Sequence, residues 1–146
     1  VRVVLRVEVR VFMLLPHERD LLADHQNRER DMKVIIAGSR EGFTIEDVRI
    51  AVLNREFYGA ITEVVSGAAR GVDRLGEQWA RENDIPIKQF IPDWDGLGKK
   101  AGHVRNREMG DYADALIALW DGESKGTKGM IEYAQKKGLK VYVYLK

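Results

Sequence analysis

The sequence predicts an α/β fold, a mostly parallel sheet of about five strands covered by helices on both faces. Three observations predict it. From residue 32 onward, short apolar runs alternate with stretches of helical period. The links between them are short, as they are where each helix returns the chain to a parallel strand. Glycine, serine, threonine and arginine follow strand after strand, marking one edge of the sheet as different from the other.

The elements follow in order. The first strand spans residues 33–37, an apolar run halted by Gly38. Residues 44–57 read as a helix, with Thr44 as N-cap and Ile45, Val48 and Val52 on one face. A second strand, 61–65, ends at Ser66 and Gly67. Val72, Leu75, Gly76, Trp79 and Ala80 stand at i, i+3, i+4, i+7 and i+8 and define the next helix, with Trp79 in the core. Residues 86–91 form a third strand, 101–112 a helix and 113–120 a fourth strand ending at Trp120. Thr127, Met130, Ile131 and Ala134 line a last helix, which Gly138 closes before the strand 139–145.

Composition narrows the function. In 146 residues there is material for one domain. Lysine and arginine total 24 against 23 acids, a net charge of +1, which lacks the basic excess of a strong duplex binder. The absence of cysteine excludes disulfides, thiolate metal sites and a cysteine nucleophile. No apolar run is long enough to span a bilayer, and Arg2, Arg6, Glu8 and Arg10 break up any signal-peptide core. The expectation is a cytoplasmic protein without a membrane partner. Histidines and acids lack metal-ligand spacing, so neither a metal nor a resident cofactor is expected.

Residues 1–31 read as an N-terminal extension to a domain over 32–146. Val1, Val3, Leu5, Val7, Val9 and Val11 alternate with mostly charged residues, a strand pattern, and residues 16–31 are polar without period. One reading is an edge strand or arm that pairs with another subunit. The other, which we expect, is that translation starts at Met32, the codons of Arg28-Glu29-Arg30 supplying a purine-rich ribosome-binding stretch.

Parallel sheets bind ligands beyond the carboxyl ends of their strands, where strand order reverses. Gly38-Ser39-Arg40 follows the first strand: glycine admits close approach, serine a hydroxyl and arginine a fork for phosphate. Ser66-Gly67-Ala68-Ala69-Arg70-Gly71-Val72-Asp73 follows the second and opens a helix, whose free N–H groups suit an anion. Asp73 suits either the helix dipole or a ribose hydroxyl. After the fourth strand, Gly122, Ser124, Gly126 and Thr127 lie in a second such loop, where hydroxyls either cap the helix or meet a ligand. Arg105 and Asn106 precede that strand, and Trp94 lies in a loop of the same edge, to stack a base or to close the loop over the core. His103 is read as a surface residue.

In this order the sequence resembles the SLOG superfamily, named for Smf/DprA and the Lonely Guy (LOG) proteins, and within it the YspA-like branch of bacteria and phages. The segments that carry the resemblance are KVIIAGSR, SGAARGVDRLGEQWA and AGHVRNREMGDYADALIALWDGESKGTKGMIEYA, together covering most of residues 32–146. The resemblance implies a Rossmann-like three-layer fold that binds a nucleotide or nucleotide-derived molecule, such as an ADP-ribose or NAD-like ligand, and a homodimer, since relatives often pair. LOG enzymes cleave the N-glycosidic bond of nucleoside monophosphates with an arginine, matched by Arg105, and a glutamate in a G-G-x-G-T-x-x-E motif. Gly126 and Thr127 match that motif, but Met130 stands at the glutamate position and cannot supply its charge. Arg105 is therefore the one catalytic candidate, and turnover stays open. DprA-like relatives share the Ser-Gly-x-Ala-Arg-Gly-x-Asp pattern and bind single-stranded DNA. That is a third reading, after binding and hydrolysis of a nucleotide.

Overall fold

In a computed structural model, the described residues are 31–146. The strand expected over residues 1–11 and nearly all of the polar stretch after it lie outside them. Met32–Lys146 forms a unit of its own. Five strands, β1 (Met32–Gly38), β2 (Ile61–Ser66), β3 (Ile87–Gln89), β4 (Ala115–Trp120) and β5 (Lys140–Leu145), pair in the order β3-β2-β1-β4-β5. Every pairing is parallel. The helices are α1 (Ile45–Ala51), α2 (Val72–Glu82), α3 (Trp94–Leu97), α4 (Ala101–Tyr112) and α5 (Lys125–Lys136).

The period-2 alternation of β1 sorts its side chains onto two cores. Val34 and Ile36 pack with Val48 and Ala51 of α1, Val52 just after it, and Val72 and Ala80 of α2. Ile35 and Ala37 face the opposite way, against Met109 of α4 and Met130, Ile131 and Ala134 of α5. The result is the three-layer, Rossmann-like arrangement, with β1 and β4 buried on both faces and therefore almost wholly apolar. Gly76 lets α2 lie directly on Ile36, whose side chain stands 2.8 Å from where a Cβ would be.

Boundaries differ from expectation where side chains override pattern. The first helix stops at Ala51 and not at residue 57, and Asn54 then holds a turn by accepting the Glu56 N–H on its side chain (3.0 Å). Phe57 is still core, 1% exposed, so it carries an apolar signal without being helical. Thr44 caps the helix as expected, within a capping box completed by Asp47. The third strand shrinks to Ile87–Gln89, where among the described residues it is an edge paired only with β2. The short α3 was not legible in the sequence pattern.

This order sets up the cleft. From β1 the chain winds outward to β2 and β3, then crosses back to lay β4 on the other side of β1. The loops after β1 and β4 consequently leave toward opposite faces, and a crevice opens between them at the carboxyl edge.

Candidate functional site

Ser39 knots the carboxyl edge together. Its N–H donates to the Leu119 carbonyl (3.1 Å), its carbonyl accepts from Val72 N–H (3.2 Å), and its Oγ accepts from Asp121 N–H (3.3 Å). Three loops are thus fixed on one buried residue, 2% exposed. Two glycines allow it. A Cβ on Gly38 would stand 2.1 Å from the Leu119 carbonyl oxygen. Gly71 has a φ of +83° and would place a Cβ 2.5 Å from the Arg40 and Ser39 backbone.

Around this knot lies a cleft in two chambers. The smaller, about 100 Å3, is lined by Gly38, Arg40, Asp73, Arg105, Asn106, Gly126 and Thr127, over a floor of Met109 and Met130. The larger, about 430 Å3, holds Arg40, Gly67, Arg70, Arg74, Trp94 and Arg105. Arg40, Ala69 and Arg105 belong to both. Sequence-expected residues from the turns after β1, β2 and β4 and from α4 therefore meet in one place.

Arg105 projects from α4 and is held from two sides. Its Nε donates to Asn106 Oδ1 (2.8 Å), and its Nη1 donates to the Gly67 carbonyl. Burial lowers its pKa from the usual guanidinium value; Asp73 opposes that and the nearby Arg40 charge adds to it. Among the described residues, neither Arg40 nor Arg105 makes an ion pair. Two like charges are thus brought together at the cleft, with the Asp73 carboxyl the acidic group that offsets Arg105.

Asp73 sits beneath them, 6% exposed. Its Oδ2 accepts from the Ala69 N–H (3.1 Å), and among the described residues no donor bonds Oδ1. Burial raises its pKa to about 6; the Ala69 N–H and the Arg105 charge pull the other way.

Other expected residues serve the scaffold. Ser66 is wholly buried, its Oγ bonded to Glu77 Oε2 (2.6 Å) and to the Ala68 N–H (3.0 Å), so it points away from the cleft. Gly71 provides clearance and Gly122 turns the chain with a φ of +83°. Ser124 is the N-cap position of α5, and its Oγ and Thr127 Oγ1 are 3.2 Å apart. Trp120 donates from Nε1 to the Ser124 carbonyl (3.0 Å), fixing that loop. His103 is exposed and lines neither chamber.

Sequence reasoning missed Arg74 and Glu77. Glu77 is buried and binds Ser66, Gln89 Nε2 (3.0 Å) and Arg74 Nη1 (3.0 Å). Burial alone would raise its pKa, but these hydrogen bonds outweigh it and hold the carboxyl below its ordinary value. The signal was its spacing: Glu77 follows Asp73 by one helical turn on the buried face of α2, an unusual place for two acids. Among the described residues no group of three potential ligands could hold a metal, and no helix is long and apolar enough to cross a membrane.

Another cavity, about 640 Å3, lies at the other end of the sheet, between the ends of α1 and α2. Its lining is mainly apolar, with Val52, Leu53, Phe57, Tyr58 and Trp79, and its charges Arg49 and Glu82 already bind each other at 2.9 Å. Size alone does not make a site; convergent unpaired polar groups do. Those are found only in the two-chambered cleft among the cavities described.

A model of the YspA, cpYpsA-related SLOG family matches residues 32–96. The chain is also similar to the "Gene 61 protein" of Mycobacterium phage D29, at 37% identity over 118 residues, covering 75% of this chain and 93% of the phage protein. No solved structure matches.

Proposed function

Because this chain belongs to the YspA, cpYpsA-related SLOG family, we propose that its cleft binds a nucleotide or nucleotide-derived small molecule, of the ADP-ribose or NAD-like kind. The observation that carries the reading is the pair Arg40 and Arg105, shared by the two chambers and, among the described residues, in no salt bridge. A phosphate between them accepts from both guanidiniums. Asp73 Oδ1, with no donor among the described residues, accepts a sugar hydroxyl. Asn106, Gly126 and Thr127 close the same chamber.

A second reading, hydrolysis of an N-glycosidic bond, draws on one feature. Met130 offers no charge, but Asp73 brings a carboxylate to the same small chamber from α2. Release of free base from a bound nucleotide distinguishes turnover from stoichiometric binding. Single-stranded DNA binding, the third reading, predicts affinity that falls steeply with salt.

The test of the leading reading is thermal stability of the full chain against nucleoside mono- and diphosphates, ADP-ribose, NAD and cyclic nucleotides. A ligand at a hundredfold excess over its Kd adds about 2.7 kcal/mol. Arg105→Ala and Arg40→Ala are each expected to weaken binding about tenfold or more, as loss of a charge-assisted hydrogen bond does. Stabilisation that survives both substitutions contradicts the reading.

A further inference from the structure

The larger chamber contains a feature that phosphate recognition does not use. Trp94 is 51% exposed and Ile91 67% exposed, both on its wall beside arginines. Half-exposed tryptophan is costly to leave in water and is usually placed where it meets something. Its ring is also positioned. Trp94 Cη2 and Arg105 Nη2 lie 3.5 and 4.0 Å from the point where a Cβ on Gly102 would stand. The indole edge therefore lies at van der Waals distance from the first turn of α4, within one nucleotide's span of the Arg105 guanidinium. Among the described residues no aromatic ring and no cation stacks on Trp94, although Tyr112, Phe90 and Phe43 each carry such a neighbour. Its face is open.

We infer that Trp94 is the platform for a planar base, so that the cleft takes purine nucleoside phosphates by stacking the ring on Trp94 while Arg40 and Arg105 hold the phosphate. This rests on the proposed phosphate site and deepens it by naming the second recognition element. The polar side chains in this chamber are arginines, which donate and do not accept. Selectivity for the base therefore comes mainly from ring area, which favours purines over pyrimidines and either over a bare sugar phosphate. The chamber volume, about 430 Å3, falls within the range of small-molecule sites and suits one such ligand.

Calorimetric titration of the full chain with AMP, UMP and ribose 5-phosphate tests this, because AMP and the sugar phosphate differ only by the base. The wild type is expected to bind AMP about tenfold or more tighter than ribose 5-phosphate, with UMP between, as one stacked base provides. Trp94→Leu should bring AMP close to the sugar phosphate while leaving the sugar phosphate's own affinity unchanged, and Trp94→Phe should keep part of the difference. An unchanged AMP to ribose 5-phosphate ratio in Trp94→Leu overturns the platform and leaves the phosphate site standing. Equal weakening of both compounds also overturns it, since the tryptophan would then only shape the cleft. No binding of any of the three compounds overturns the phosphate site and the platform together. A single-stranded oligonucleotide that binds more tightly than AMP, with steep salt dependence, overturns it in favour of nucleic acid.

Discussion

Asp73 titrates near pH 6 in the folded chain against an ordinary 3.8, because burial disfavours its charged form more than Ala69 and Arg105 support it. The folded state thus prefers the protonated carboxyl. Its contribution to stability is fully present below about pH 4 and is lost as pH rises through 6, a change of order 3 kcal/mol. Asp73→Asn keeps the acceptor for Ala69 but removes the charge, so it is expected to raise Tm at pH 8 and leave it nearly unaltered at pH 4. Chemical denaturation of both proteins at the two pH values checks this, and equal stability differences at both would contradict it. At this scale the sequence was partly legible. Gly38 and Arg40 follow a strand and Asp73 opens a helix, where glycine and charge stand out against apolar runs, whereas Arg105, inside α4, was singled out by the family resemblance. Ser39 and Ser66 looked like ligand-facing hydroxyls, yet both are buried and bonded internally. A serine after a strand reads the same whether its hydroxyl points to solvent or to backbone, and only the packing of three loops decides.

Elements carry the second level of the account. The sheet order β3-β2-β1-β4-β5 places the reversal beside β1, and the loops flanking that reversal are the ones that line the cleft. Gly71 links these elements, since it must adopt a left-handed backbone while passing the Arg40 and Ser39 backbone. Gly71→Ala is expected to cost about 1–3 kcal/mol through strain alone, with the close contact adding to it. It should also disturb the phosphate site by moving Arg40. A melting curve and a nucleotide titration of the variant test both effects, and a variant as stable as the wild type would refute the tight-passage argument. The α/β alternation and nearly all elements were visible from apolar period, since each element buries one side. The end of α1 and the extent of β3 were not, because a buried Phe57 in a turn and an unpaired edge mimic continuing periodicity. The four-residue α3, which presents Trp94, is too short to show a period at all.

At the scale of the molecule, Met32–Lys146 carries both cores and the whole cleft. We therefore expect residues 32–146 alone to melt in one cooperative transition and to bind as the full chain does; failure to fold without the first 31 residues would contradict that domain boundary. The central claim is that function resides at the carboxyl edge and not in the larger apolar cavity at the opposite end. The most direct measurement is a map of backbone amide shifts in the full chain on addition of AMP. The account predicts that the largest changes fall at Arg40, Gly67 to Gly71, Arg105, Asn106, Gly126 and Thr127. Changes concentrated instead at Leu53, Tyr58, Trp79 and Asn83, around the apolar cavity, would contradict it.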